Sequence, residues 1–367
     1  MTDRSTVVQN AMERAGLDTL LVAAPANIAY ICGFRTEPHE RLIALVLPQA
    51  GEPRLVCPSL EEEAARGAFD GAVRLHVWRD EEGPGGALAD ALAGAARIGI
   101  EKRYLSVADA ELAAAAAPAA TFAGCDELLA RLRAVKSDDE IAALRRAAGI
   151  VDGVVAHLAA AAAPGVTEAG LAAECVQRLL AAGGDSPAFD PLILTGPRSA
   201  LPHSRSSATA IAEGDLLIID IGVVADGYCA DITRTVVVGS EPDDRQREVF
   251  ETVLAAQRAA IEVARAGTPA RAVDDAARGL IADRGYGANF VHRTGHGLGL
   301  ELHEPPYLTA ASDEPLQPGM VVTVEPGVYV EGWGGVRIED DIVIGESGAD
   351  VLTRAPIDLS AAEVVHA

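Results

Sequence analysis

The sequence predicts two domains of different character: an α/β domain over residues 1–135 and an α+β domain over residues 136–367. Three observations predict it. A chain of 367 residues exceeds one ordinary core. Its first 130 or so residues alternate short apolar runs with helical patterns, which is the rhythm of an α/β domain. Beyond them come long β-branched runs separated by long helical stretches, the mark of an α+β arrangement.

In the first domain, Leu42 to Pro48, Arg54 to Pro58 and Val73 to Trp78 read as strands, and Glu61 to Ala68 as a helix. Glu81 to Gly86 is a loop before an Ala-rich helix from about Ala87; the alanines at 113–117 favour helix and carry no functional signal. Ser137-Asp-Asp-Glu140 is a capping box that opens a long helix ended by Pro164-Gly165. The boundary therefore falls near Val135. A second helix runs from Thr167-Glu168 to about Ala182, and two more cover Asp243 to Ala266 and Ala270 to Arg284. Asp215 to Val224, Thr233 to Gly239, Val321 to Val330 and Gly335 to Ile344 read as strands.

Composition excludes several classes. The formal charge is -24, from 54 acidic against 30 basic residues, and such a surface repels a phosphate backbone, so no nucleic-acid partner is expected. Five scattered cysteines with no CxxC pair fit a reducing, cytoplasmic compartment. The polar start MTDRSTVVQN lacks the apolar core expected of a signal peptide, and no run approaches the ~18 apolar residues of a membrane span.

Four acidic residues interrupt apolar strands, where an unpaired charge is costly. Asp220 ends LLIID, Asp231 lies in GYCADITRT, Glu325 breaks VVTVEP and Glu339 follows GVRI. Asp220 and Asp231 flank the turn Asp226-Gly227, so they can face one side of a hairpin. Glu325 and Glu339 bracket the loop 331–335 as a second facing pair. Between the pairs lie His292, His296 and His303. Any one of these acids alone is more simply a strand terminus or a solvated group. Together, four carboxylates and an imidazole make a hard, oxygen-rich site suited to Mn²⁺, Mg²⁺ or Co²⁺. Two cations ~3.5–4 Å apart in such a site can share a bridging hydroxide. His76 and His157 read as ordinary polar residues. Gly295-His-Gly297-Leu-Gly299 has the wrong spacing for a dinucleotide loop, and His303-Glu304 lacks the later histidine of a zincin. Neither a phosphate-binding Gly-Lys-Ser/Thr loop nor a Gly-x-Ser-x-Gly elbow is present.

The blocks DIGVVADGYCADITRTVVVG, HRTGHGLGLELHEPP, VEPGVYV and GVRIEDDIVI resemble the creatinase/aminopeptidase superfamily of pita-bread-fold metallopeptidases. Within it the Xaa-Pro peptidases, proline dipeptidase and Xaa-Pro aminopeptidase, are the nearest match. NIAYICGF and LRAVKSDDEIAALRRAA resemble that group's first-domain and junction sequences, so the likeness spans nearly the whole chain.

The resemblance implies a pita-bread catalytic domain preceded by a smaller creatinase-like α/β domain. It also implies two divalent cations per chain, manganese first, with cobalt or zinc as alternatives. Asp220 would chelate one ion, Asp231 and Glu339 would bridge both, and His296 and Glu325 would bind the second. Glu325 would also be the acid/base neighbour of the hydroxide. His203 would contact the substrate or intermediate, His303 would hold the scissile carbonyl region, and His292 would support them. Tyr329 and Arg337 match positions that hydrogen-bond within the site; Arg337 either neutralises carboxylate charge or grips a substrate carboxylate. The implied activity is hydrolysis of the bond before proline in a small peptide, by a homodimer. An amidohydrolase of the ectoine- or creatine-cleaving kind is the alternative, but creatinase-like relatives lack metal ligands that are all present here. GPRSALPHS, ahead of and including His203, departs from the usual pattern, which leaves substrate choice open.

Overall fold

The computed structural model describes residues 4–37, 39–69 and 73–360; the start of the polar N-terminal stretch (1–3) and the end of the second domain's range (361–367) lie outside them. The chain forms two compact units, residues 1–133 and 134–367.

The first unit is built on six strands: β1 (Thr19–Val22), β2 (Ala44–Pro48), β3 (Arg54–Pro58), β4 (Arg74–Trp78), β5 (Arg97–Ile100) and β6 (Thr121–Gly124). Their order is β4-β3-β2-β1-β5-β6. Pairing is parallel for β3/β4, β1/β5 and β5/β6 and antiparallel on both edges of β2, so the sheet is mixed. Helix α1 (Arg4–Ala15) precedes the first strand, α2 (Pro25–Cys32), α3 (Glu62–Phe69), α4 (Gly85–Ala91) and α5 (Val107–Ala116) lie between strands, and α6 (Asp126–Ala134) follows the last. Leu21, Val46, Val56, Leu88 and Ile98 form part of its core.

The second unit opens with α7 (Asp138–Ala161). Its capping box is formed: the Ser137 hydroxyl accepts the Glu140 N–H and the Glu140 carboxylate accepts the Ser137 N–H. Next come α8 (Glu168–Ala181), the short strands β7 (Ser186–Pro187) and β8 (Leu192–Thr195), and the hairpin β9 (Leu216–Ala225)/β10 (Tyr228–Val237). Asp226 and Gly227 both have positive φ, 51° and 74°, which gives the turn a twist matched to the strands it joins. Both strands are almost wholly buried, because α7 covers them: Leu144, Val151, Val155 and Leu158 pack with Ile219, Ile221 and Ile232.

Helices α9 (Asp244–Val263) and α10 (Ala270–Asp283) follow, the first with a second capping box between Asp243 and Gln246. The remaining strands are β11 (Gly295–Gly297), β12 (Glu304–Leu308), β13 (Val321–Val324), β14 (Gly327–Val330), β15 (Gly334–Arg337), β16 (Asp340–Ile344) and β17 (Ala349–Val351). They form a sheet ordered β12-β11-β13-β16-β17 and a separate ribbon β14-β15.

Here the structure corrects the sequence reading. The runs 321–330 and 335–344 are not single strands. Each breaks in the middle, and its halves belong to different sheets. Pro326 has no N–H to continue the first ladder. Glu325 N–H instead donates to Thr294 O, and Glu339 N–H to Thr233 O. The two glutamates thus stand where the chain leaves one sheet for the other. Among the described residues no helix is long and apolar enough to cross a membrane, and all five cysteines are unpaired.

Candidate metal centre

The β9/β10 register puts Thr233 opposite Asp220 and Asp231 opposite Gly222. Asp220 and Asp231 therefore share one face of the hairpin, since side chains two apart on a strand point the same way. Val324 pairs with Asp340 at the end of the β13/β16 ladder. Glu325 and Glu339 are the next residues on each strand and lie against that same face.

His296 reaches it from β11, which is squeezed between β12 and β13. A Cβ on Gly295 would stand 1.9 Å from Thr323 O, and one on Gly297 2.5 Å from Pro305 O. Only glycines fit on either side of this histidine. His296 Nδ1 lies 3.0 Å from Gly297 O. A carbonyl can only accept, so Nδ1 carries the proton and Nε2 presents its lone pair, 3.4 Å from Glu325 and 3.9 Å from Asp231. Burial first, and the neighbouring His303 next, push His296 down to about 3, so the ring is neutral.

Ligand atoms of Asp231, His296 and Glu339 all fall within 4.8 Å of one another, and all three residues are buried. Asp231 Oδ1 is buried with no hydrogen-bond partner. Burial, then the neighbouring carboxylates, hold Asp231 and Glu339 well above the ordinary carboxylate range; burial pushes Glu325 up to about 7. A cluster of anions strained in this way, beside an imidazole locked in its ligating tautomer, fits a hard divalent cation.

Asp220 lies in the same cavity, but its carboxylate engages Arg337. That guanidinium also donates through Nη1 to the Tyr329 hydroxyl (2.8 Å) and through Nε to Thr233 Oγ1 (3.0 Å). The Tyr329 hydroxyl in turn lies 2.9 Å from His292 Nε2, whose Nδ1 donates to Arg293 O. Asp220, Arg337, Tyr329 and His292 thus form one buried chain of hydrogen bonds. In this arrangement one carboxylate, that of Asp220, accepts from Arg337.

His203 and His303 line the mouth of a cavity of about 370 Å³ that contains the carboxylates. The His303 ring stands edge-on to His296 at 4.2 Å. The apolar part of the wall comes from Phe189, Leu192, Pro202 and Leu302. His157 pairs with Glu174 instead, and is not among the cavity's lining residues.

Sequence reasoning missed several supporting groups. Thr233 Oγ1 donates to Glu339 (2.5 Å) and Thr323 Oγ1 to Glu325 (3.2 Å). Both threonines sit two residues from a predicted ligand on the same strand face, and that spacing was the available signal. Asp341 accepts the Asp231 N–H. The GPRSALPHS stretch is held by Glu168, a fully buried carboxylate in the first turn of α8. It accepts from Thr195 N, Arg198 Nε, Ser207 N and Ser207 Oγ at 2.6–3.0 Å, and so anchors the loop that carries His203.

Residues 142–346 match Metallopeptidase family M24, and residues 4–135 match the Creatinase/Prolidase N-terminal domain. The protein YkvY of Bacillus subtilis (strain 168) is 38% identical over 356 residues, covering 96% of this chain and 98% of that protein. The prolidase from Pyrococcus horikoshii OT3 superposes with a TM-score of 0.90 at 35% identity, over 98% of this chain and 100% of its own. An Xaa-Pro dipeptidase from Bacillus anthracis gives 0.89 at 34%, over 97% and 98%. The buried acid–imidazole cluster and these likenesses agree: the chain belongs to metallopeptidase family M24, a peptidase with a creatinase-like N-terminal domain, a pita-bread catalytic domain and the divalent-metal dependence that the family implies.

Proposed function

We propose that this protein hydrolyses the peptide bond preceding proline in small peptides, using two divalent cations held by Asp220, Asp231, His296, Glu325 and Glu339. The observation that carries the reading is the buried set Asp231, His296 and Glu339, within 4.8 Å, in a cavity whose lining also includes apolar groups. The prolidase and Xaa-Pro dipeptidase named above support the substrate class. A carboxylate-rich donor set favours manganese.

Bound cations would supply Lewis acidity and a nucleophile at neutral pH. The protein's own groups do the rest. Glu325, deprotonated when it holds a cation, is placed to take a proton from the nucleophile on a carboxylate oxygen and pass it to the departing nitrogen. His203 and His303, at the cavity mouth, are positioned to donate to the carbonyl oxygen as charge develops there. The Arg337–Tyr329–His292 chain fixes Asp220 and keeps its carboxylate from turning away. A prolyl nitrogen carries no N–H, so a proline is selected by the fit of its ring against Phe189, Leu192, Pro202 and Leu302 rather than by a hydrogen bond.

The test is a hydrolysis panel of Xaa-Pro dipeptides, Xaa-Pro-Yaa peptides, Xaa-Ala controls and small cyclic or N-acyl amides, run with Mn²⁺, Co²⁺ and Zn²⁺. Cleavage before proline above Xaa-Ala is expected. An apolar pocket distinguishes them only modestly, by about 1–3 kcal/mol. Turnover of the amides without cleavage of any Xaa-Pro peptide overturns the reading.

A further inference from the structure

Asp231 and Glu339 can share a cation only if β10 and β16 meet at a fixed spacing, and these strands belong to different sheets. The chain brings them together at the bridge Thr233–Glu339, where Glu339 N–H donates to Thr233 O at 3.2 Å. Neighbouring residues on a strand face opposite ways. Thr233 holds Glu339 from the metal side, through its hydroxyl, so Arg234 lies on the reverse side, outside the lining of the cavity that holds the acids.

The Arg234 side chain is 3% exposed and pairs with Asp340 at 2.8 Å. Through Nη1 it donates to two peptide carbonyls at once, Thr233 O (3.0 Å) and Glu339 O (2.6 Å). One carbonyl comes from each side of the seam, and the second belongs to a predicted metal ligand. Nη2 donates to Asp340 Oδ1 and Ala355 O (both 2.8 Å), and Nε to Ala355 O and Pro356 O (both 3.2 Å). Asp340 is held in turn by Gln257 Nε2 (2.6 Å) from α9 and by Thr353 Oγ1 (2.8 Å). The guanidinium is therefore fixed on every edge, and it ties β10 to the backbone of Glu339. The tie works against electrostatics. Charged carboxylates of Asp231 and Glu339, with ligand oxygens within 4.8 Å, repel and push the two strands apart. A planar fork spans the seam and resists that. A lysine ammonium carries its donors on one atom, so it can meet Asp340 but cannot span the same acceptors.

We propose that Arg234 is a positioning residue that acts from the reverse face of β10, setting the separation of Asp231 and Glu339 and with it the affinity for divalent cations. This rests on the reading of those acids as metal ligands. It goes beyond that reading by assigning control of their spacing to a residue outside the cavity.

The test uses the full chain and Mn²⁺. Arg234→Lys keeps a charge for Asp340. Arg234→Gln/Asp340→Asn removes both buried charges together, so neither is left uncompensated. Asp340→Asn alone keeps an acceptor for Nη2 and serves as the control. Affinity is titrated well below each protein's melting transition, with circular dichroism confirming the fold, so that lost global stability does not enter the reading. Arg234→Lys and the double variant are expected to bind Mn²⁺ on the order of 10–100-fold more weakly than wild type, the usual cost of losing a group that orients a ligand. Asp340→Asn should lose less. Electron paramagnetic resonance gives a second readout. Wild type should show the exchange-coupled spectrum of neighbouring Mn²⁺ ions, and both Arg234 variants, at saturating Mn²⁺, the spectrum of isolated ions. Wild-type affinity and spectrum in either folded Arg234 variant overturns the proposal. So does equal loss in Asp340→Asn, which places the effect in the charge rather than the fork. A wild type that binds one uncoupled ion overturns the two-cation reading instead, and the affinity comparison still decides for Arg234, because Asp231, His296 and Glu339 remain together as ligands for that ion. A wild type that binds no divalent cation overturns the reading of these acids as ligands, and the proposal with it.

Discussion

Replacing Asp231 by Asn separates the chemical use of the carboxylate cluster from its effect on stability. Asp231 and Glu339 are buried, with ligand oxygens no more than 4.8 Å apart. At an effective dielectric constant near 20, two unit charges at that distance repel by about 3 kcal/mol. Both carboxyls sit well above their ordinary range, through burial first and then neighbouring carboxylates. The sign follows from linkage. A carboxyl with a raised folded-state pKa holds its proton more tightly folded than unfolded. The penalty is absent below the unfolded value of about 4 and grows as pH rises toward the folded one.

In chelator, Asp231→Asn should therefore unfold later than wild type, by about 3 kcal/mol near pH 8 and by little near pH 4. Bound cations reverse the ranking. They stabilise the wild type by mass action, while the variant, lacking a ligand proposed to serve both ions, gains less and loses most activity. Urea unfolding of both proteins, with chelator and with Mn²⁺ at each pH, together with metal analysis, measures all four corners. A variant no more stable than wild type in chelator near pH 8, or one that retains metal and activity, refutes the argument.

Alanine at His203 or His303 should lower kcat by about 10²–10³-fold with metal content unchanged, because both line the cavity mouth outside the buried trio. Collapse of metal content in either variant would contradict the assignment. Cation affinity should fall as pH drops below 7, by about tenfold per pH unit for each proton displaced, since Glu325, at about 7, must lose its proton to ligate. Metal titrations with flat affinity between pH 6 and 8 would contradict that. Gly295→Ala should destabilise the protein by several kcal/mol and abolish metal retention, because its Cβ would meet Thr323 O at 1.9 Å and force β11, with His296, away from β13. Wild-type melting and metal content in that variant would refute it.

The hairpin half of the site was legible in the sequence because two local rules coincide there. Asp226-Gly227 is a turn with a defined twist, and the period of two puts Asp220 and Asp231 on one face across it. Glu325 and Glu339 were legible as a pair but not as junctions. β-Branched residues continue on both sides of each, and only the missing N–H of Pro326 hinted that the strand stops. In the first unit β1 went unread because four buried residues, Thr19–Val22, carry too short a pattern to stand out. The division of labour among the arginines lies outside any local rule. Which groups Arg337 meets depends on the approach of Asp220, more than a hundred residues away in sequence, and on Tyr329 and Thr233 accepting from two of its other N–H groups. Periodicity and motif describe one stretch of chain at a time, and neither contains that choice.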